Sequence, residues 1–157
     1  CRRLAEAGSV IAHCPTSNLF LGSGLFDMLQ ANRVGMQTVL ATDVGAGTSF
    51  SLLRTMGEAY KVQQLNGYPV SVFESLYKCT LGAAKALHLD DEIGCFGKGR
   101  KADFIVIDYA VTPSQQVRMD YLKHHEKWTL ENKLFGLQTI GDDRNILATY
   151  IVGRRMK

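Results

Sequence analysis

Two rhythms run along this chain. Short apolar runs rich in β-branched residues alternate with longer stretches that are apolar at intervals of three and four. Residues 2–7 read as the end of an amphipathic helix, with Gly8 at its C-cap. Residues 9–13, SVIAH, read as a strand that ends in His13. Pro15 stops its ladder because it has no N–H to donate, and Ser17, Asn18, Gly22, Ser23 and Gly24 predict a loop over residues 14–24. Leu25, Met28, Leu29 and Ala31 predict a helix over 25–34, closed by Gly35. A second strand, 36–42, runs up to a lone aspartate, Asp43. The turn VGAG follows, and a broad apolar stripe predicts a helix over 50–65.

Gly67 and Pro69 break that helix. A further helix is predicted over 70–79, with Ser71 as N-cap and Glu74 in capping-box position. Another covers 81–88, and Gly82 loosens its start. Helix, strand, helix, strand is the signature of parallel βα units, so the fold class is α/β. The style changes after Leu89. Gly94, Gly97 and Gly99 mark turns, 104–107 reads as a strand, 113–119 as a helical turn, 129–139 as a helix and 146–152 as a closing strand. The organisation is therefore two-part, residues 1–89 and residues 90–157.

With 157 residues, 46% of them hydrophobic and 21% charged, the composition is that of an ordinary globular domain. The net charge of +3 is scattered apart from the short ends Arg2–Arg3 and Arg154–Lys157, which argues against a nucleic-acid face. Cys1, Cys14, Cys79 and Cys95 form no C-x-x-C pair, so free thiols in a reducing cytoplasm are expected. No apolar run is long enough to span a membrane. The chain opens in mid-pattern without methionine, as a piece of a longer protein would.

Asp43 is the leading chemical candidate. A carboxylate at the C-terminal end of a strand, before a glycine-rich turn, is how an α/β barrel presents a catalytic group. The competing reading is a helix N-cap, which the intervening VGAG makes less natural. His13 also ends a strand and reads equally as a ligand, a base or a loop-holding donor. Asn18 reads first as a turn residue. His88, His124, His125, Glu58 and Glu74 read as surface, capping or structural groups. GCFGKGRK leads into a strand rather than a helix, so it reads as a turn and not as a phosphate cradle. One Asp and one His cannot by themselves hold a catalytic zinc, which needs three protein ligands and an open position.

HCPTSNLFLGSG followed by VLATDVGAGTSFSLL resembles the last part of the barrel in the amidohydrolase superfamily. TLGAAKALHLDDEIGCFGKGRKADFIVID resembles the superfamily's return to its small β domain, and IGDDRNI together with TDVGAGTSFSLLRTMGEAYK is similar to its guanine-deaminating branch. The resemblance implies the last two βα units of a (β/α)8 barrel and C-terminal strands of a small β-sandwich. It implies one zinc, held by an H-x-H pair on the first strand, a histidine on the fifth and an aspartate on the eighth. Asp43 matches that aspartate, as metal ligand and as the catalytic proton acceptor. His13 matches the H-C-P histidine, and with Asn18 would shape the pocket behind it. The other zinc ligands and the catalytic glutamate would lie before Cys1, so this piece alone is not expected to hold the metal or to turn over. The implied reaction is hydrolytic deamination of guanine to xanthine and ammonia by a cytoplasmic homodimer. Deamination of another aminopurine, or dechlorination of a triazine, is the rival chemistry, and an inactive module is the rival from outside catalysis.

Overall fold

The computed structural model describes residues 2–156. The thiol of Cys1 and the terminal Lys157, both part of the expectations above, lie outside the described residues. Helix α1 (Arg2–Glu6) is followed by strand β1 (Val10–His13), helices α2 (Pro15–Phe20) and α3 (Met28–Arg33), and strand β2 (Gln37–Leu40). Helices α4 (Leu52–Leu65), α5 (Val72–Cys79) and α6 (Leu81–Ala86) come next. The remainder is β3 (Phe104–Ile107), α7 (Pro113–His124), α8 (Leu130–Ile140), a 3-10 turn (Asp143–Asn145), β4 (Ile146–Ile151) and β5 (Arg154–Arg155).

The first sheet is the parallel pair β1–β2, with Val10 opposite Gln37 and His13 opposite Leu40. The second is antiparallel, in the order β3–β4–β5, with Phe104 opposite Tyr150 and an irregularity between Val106 and Ile107. The rings of Phe104 and Tyr150 stack there at 4.5 Å.

Leu40 of β2, Leu53, Met56 and Ala59 of α4, Val72 of α5 and Leu137 of α8 form one buried cluster. Ile107, Tyr109 and Leu134, from the second half of the chain, pack against it. Helix α8 crosses α4 closely. A Cβ on Gly57 would stand 2.5 Å from the Gln138 carbonyl oxygen, so only glycine permits that approach. Tyr60 and Phe135 meet edge-on at 5.3 Å along the same contact.

Residues 14–24 are not the uninterrupted loop expected. Pro15 starts α2, because the first helical position needs no N–H and proline's φ is already helical. The helix predicted over 25–34 is shorter, with the Asp27 side chain capping it at the Gln30 amide, 2.8 Å. Ser71 caps α5 as expected, accepting from the Glu74 amide. The Glu74 carboxylate does not close a capping box. It accepts from the Tyr68 hydroxyl at 2.8 Å and faces Lys78 at 3.6 Å. Gly82 is tightly packed rather than loose, since a Cβ there would meet Tyr77 at 2.8 Å. Helix α7 runs through His124, five residues beyond the predicted turn that ends at Met119.

A buried polar network ties α7 and α8 to the second sheet. The Asn145 amide donates to the Asp108 carbonyl at 2.7 Å and to Gln115 Oε1 at 3.1 Å. Its oxygen accepts from Gln115 Nε2 and from the Asp142 amide, each at 3.0 Å. Gln115 also donates to the Ile140 carbonyl. Such a network is valuable only while every member is satisfied. Asn145→Ala should therefore lower stability by about 2–4 kcal/mol by stranding several buried partners. Chemical denaturation checks this, and a change below about 0.5 kcal/mol would contradict the network's role.

Candidate functional site at the end of the second strand

Strand β2 ends at Leu40, and the chain reaches Asp43 three residues later. Asp43 has φ +48°, the left-handed region that aspartate tolerates better than most residues. Its carbonyl accepts from the amides of Ala46 and Gly47, which closes a tight turn. Gly47 has no room for a side chain, since a Cβ would lie 1.8 Å from the Thr42 carbonyl oxygen. The backbone of Asp43 is thus held from the turn side.

The side chain is held from the helix that follows β1. Ser17, on the first turn of α2, is buried and donates to Asp43 Oδ2 at 2.6 Å. Thr16 beside it donates to the Thr42 carbonyl at 3.4 Å. Among the described residues Oδ1 of Asp43 takes no hydrogen bond, and the residue is exposed. Asp43 does not cap α4, whose N-cap is Ser51, so the competing reading of this carboxylate does not hold. Cys14 is also close by. Burial, and secondarily the Asp43 charge, push its thiol above the usual range.

His13 is 2% exposed, and neither ring nitrogen has a partner among the described residues. The Phe26 ring lies against it at 4.8 Å. Phe26 is itself pinned from α4. Its carbonyl accepts from Gln63 Nε2 at 2.8 Å and Asn66 Nδ2 at 2.9 Å, and Gln63 Oε1 accepts from the Met28 amide. Lys78 is buried behind β2, donating to Thr38 Oγ1 at 2.6 Å. Burial lowers the Lys78 pKa, and Glu74 opposes that shift. Burial first, and the Lys78 charge second, lower the His13 pKa to about 4.

Asn18 sits on helix α2 rather than in a turn. Its carbonyl accepts the Ser23 amide at 2.9 Å, so its backbone, not its side chain, closes the segment after the helix. His88, His124 and His125 are exposed. Ser17 is a residue that the sequence pattern assigns to turn chemistry alone. The signal available was Pro15 at a first helical position with Leu19 and Phe20 one turn on.

A cavity of about 660 Å³ opens nearby, lined by Thr16, Phe20, Ser49, Arg54, Tyr60 and Asp142 among others. Asp43, His13 and Asn18 do not line it. Of its charged side chains Lys61 pairs with Glu58 at 2.8 Å and Asp142 with Arg144 at 2.7 Å. The carboxylate with a free oxygen, not the larger hollow, is the chemical feature here. Among the described residues no group of three His, Cys, Asp or Glu side chains could hold a metal. They supply one suitable donor, Asp43, not a complete metal site.

The amidohydrolase family model matches residues 1–156. The chain belongs to the amidohydrolase family. Guanine deaminase of Escherichia coli is 51% identical over 152 residues, 97% of this chain and 34% of that protein. Its solved structure superposes with a TM-score of 0.92 at 49% identity, covering 99% of this chain and 36% of that one. The guanine deaminase of C. acetobutylicum, solved with guanine bound in its active site, superposes with a TM-score of 0.75 at 27% identity, covering 98% and 35%. An adenosine deaminase of Xanthomonas campestris with bound zinc shares the fold, with a TM-score of 0.78 at 23% identity over 98% and 33%. This amidohydrolase chain thus spans about a third of the length of the curated relatives it matches. Among the described residues no helix is long and apolar enough to cross a membrane.

The buried His13 makes acid stability testable. Its ring is neutral in the fold and must find a proton on unfolding, so the unfolded chain binds more protons between pH 6.5 and about 4. Its contribution is complete above pH 6.5 and is lost as pH falls through that window, by up to about 3 kcal/mol. Denaturation midpoints measured from pH 7 to pH 4 should fall accordingly, and His13→Leu should flatten the slope. An equal slope in that variant would contradict the assignment.

Proposed function

We propose that this chain is the C-terminal part of a zinc-dependent hydrolase that converts guanine and water to xanthine and ammonia. The observation that carries the reading is the 51% identity to a guanine deaminase across 97% of the chain, with Asp43 held at a strand's end. In this reading β1 and β2 are the last two strands of a (β/α)8 barrel, and residues 1–89 are the barrel's end. Residues 90–157 then carry C-terminal strands of a small β domain, with α7 and α8 returning onto the barrel helices. The antiparallel β3–β4–β5 sheet and the parallel β1–β2 pair support that division of labour.

Asp43 would be one of several donors to the metal, the rest lying outside the described residues. Zinc, when bound at such a site, supplies a water acidic enough to lose its proton near neutral pH. The Asp43 carboxylate would accept a proton as water attacks the amino-bearing C2 of the purine, and return it toward the departing ammonia. Thr16, Ser17 and the 43–47 turn hold that carboxylate in place, which is what proton transfer at a fixed geometry requires. His13, buried and uncharged near neutral pH, would act as a packed wall of the pocket rather than as a base.

In the full-length protein Asp43→Asn should lower kcat by about 10²–10⁴-fold, the range of a lost proton acceptor. Near-wild-type turnover of guanine by that variant would refute the role. Activity of the wild type on another aminopurine or a triazine, with none on guanine, would instead move the substrate. Gly47→Ala displaces Thr42 and Asp43 through its backbone clash, and should cost about 10²-fold in kcat/KM. Unchanged kinetics there would show that the turn does not set the geometry.

A further inference from the structure

Ser17 stands out because its hydroxyl is spent on a single partner. It is 3% exposed, yet the atom it binds belongs to an exposed carboxylate. The bond to Asp43 Oδ2, at 2.6 Å, spans 26 residues and joins the element after β1 to the end of β2. Helix α2 makes the donor rigid. Pro15 sets its first turn, the Leu21 amide donates to the Ser17 carbonyl at 2.9 Å, and Thr16 grips the Thr42 carbonyl. The acceptor's backbone is equally constrained by its left-handed φ and by Gly47.

Two fixed frames and one short bond leave the carboxylate little freedom to rotate about its last torsion. From this we infer that Ser17 is a positioning residue, which occupies Oδ2 and so presents Oδ1 of Asp43 to the metal. This rests on the reading of Asp43 as a metal ligand. The donor's chemistry suits the task. A neutral hydroxyl orients the carboxylate without cancelling its charge, whereas a lysine or arginine in that place would compete with the cation. A ligand oxygen fixed in direction also loses less rotational freedom when the metal arrives. Asn18, the neighbour in the same motif, cannot replace Ser17, since among the described residues its side chain makes no hydrogen bond to Asp43.

The test uses the full-length metalloprotein in wild-type, Ser17→Ala, Ser17→Thr and Asp43→Asn forms. Zinc affinity is read by chelator competition, and KM and kcat for guanine are read separately. Ser17→Ala should weaken zinc binding by about 10–100-fold, as loss of an outer partner of a ligand does, and lower kcat with KM nearly unchanged. Ser17→Thr keeps the hydroxyl and should restore affinity to within a few-fold of wild type. The melting temperature of each metal-free form reports folding. If Ser17→Ala folds poorly, Ser17→Gly also removes the hydroxyl without adding a metal-binding group and should show the same loss of affinity. Wild-type zinc affinity in the alanine or glycine variant, while Asp43→Asn loses the metal, would overturn the role of Ser17 alone. Retention of zinc by Asp43→Asn as well would overturn the reading of Asp43 on which it rests.

Discussion

The site depends on the register of two parallel strands. His13 lies opposite Leu40, and the Ala41 amide donates to the His13 carbonyl at 3.0 Å. That pairing sets the ends of β1 and β2 side by side, so the segments leaving the two strands emerge as neighbours. Helix α2 starts almost at once beyond β1, and the tight turn around Asp43 lies just beyond β2. A slip of one residue would reverse every side chain on the moved strand and separate the two ends. The bond between Ser17 and Asp43 is a consequence of the pairing, as is the grip of Thr16 on the Thr42 carbonyl.

Two strands alone cannot enforce a register, so the helices behind them do. Leu40 is locked among apolar side chains from α4, α5 and α8, and Lys78 reaches from α5 to Thr38 on the same strand. A buried ammonium is tolerated there because the Thr38 hydroxyl and carbonyl and the nearby Glu74 carboxylate receive it. From α4, Gln63 reaches the other way, to the loop that carries Phe26 onto His13. Helix α4 therefore supports both strand ends, one through apolar packing and one through an amide. The close crossing at Gly57 brings α8 in, and the network around Asn145 carries the same rigidity to the antiparallel sheet.

Charge at the strand ends is arranged by distance from solvent. Asp43 is exposed, and its only side-chain partner among the described residues is a neutral hydroxyl, so its charge is available. His13 is sealed under Phe26, and burial, helped by the Lys78 charge, keeps it neutral. Cys79, on the inner side of α5, is pushed up to about 12 by burial and is a packing group. Asp43, just beyond β2, is thus open to solvent, whereas His13 at the end of β1 is neutral and closed off.

From residues alone, the parallel βα order, the strand at 104–107, the Ser71 cap and the lone carboxylate after β2 are all legible. Each is a local matter of period, turn chemistry or capping, which a sequence states directly. The H-C-P-T-S-N and T-D segments carry the family resemblance for the same reason. The partnership of Ser17 with Asp43 is not legible, because it is made by strand pairing across 26 residues. Helix α2 escapes a reading by pattern because its six residues are too few to show a helical period, and proline there reads as a breaker. Glu74 holds a capping-box position whose usual role its side chain does not take, since a motif fixes spacing along the chain and not the direction of a side chain. Burial of His13 and Lys78 likewise depends on which helices cover β2, a choice settled only when α4, α5 and α8 pack together.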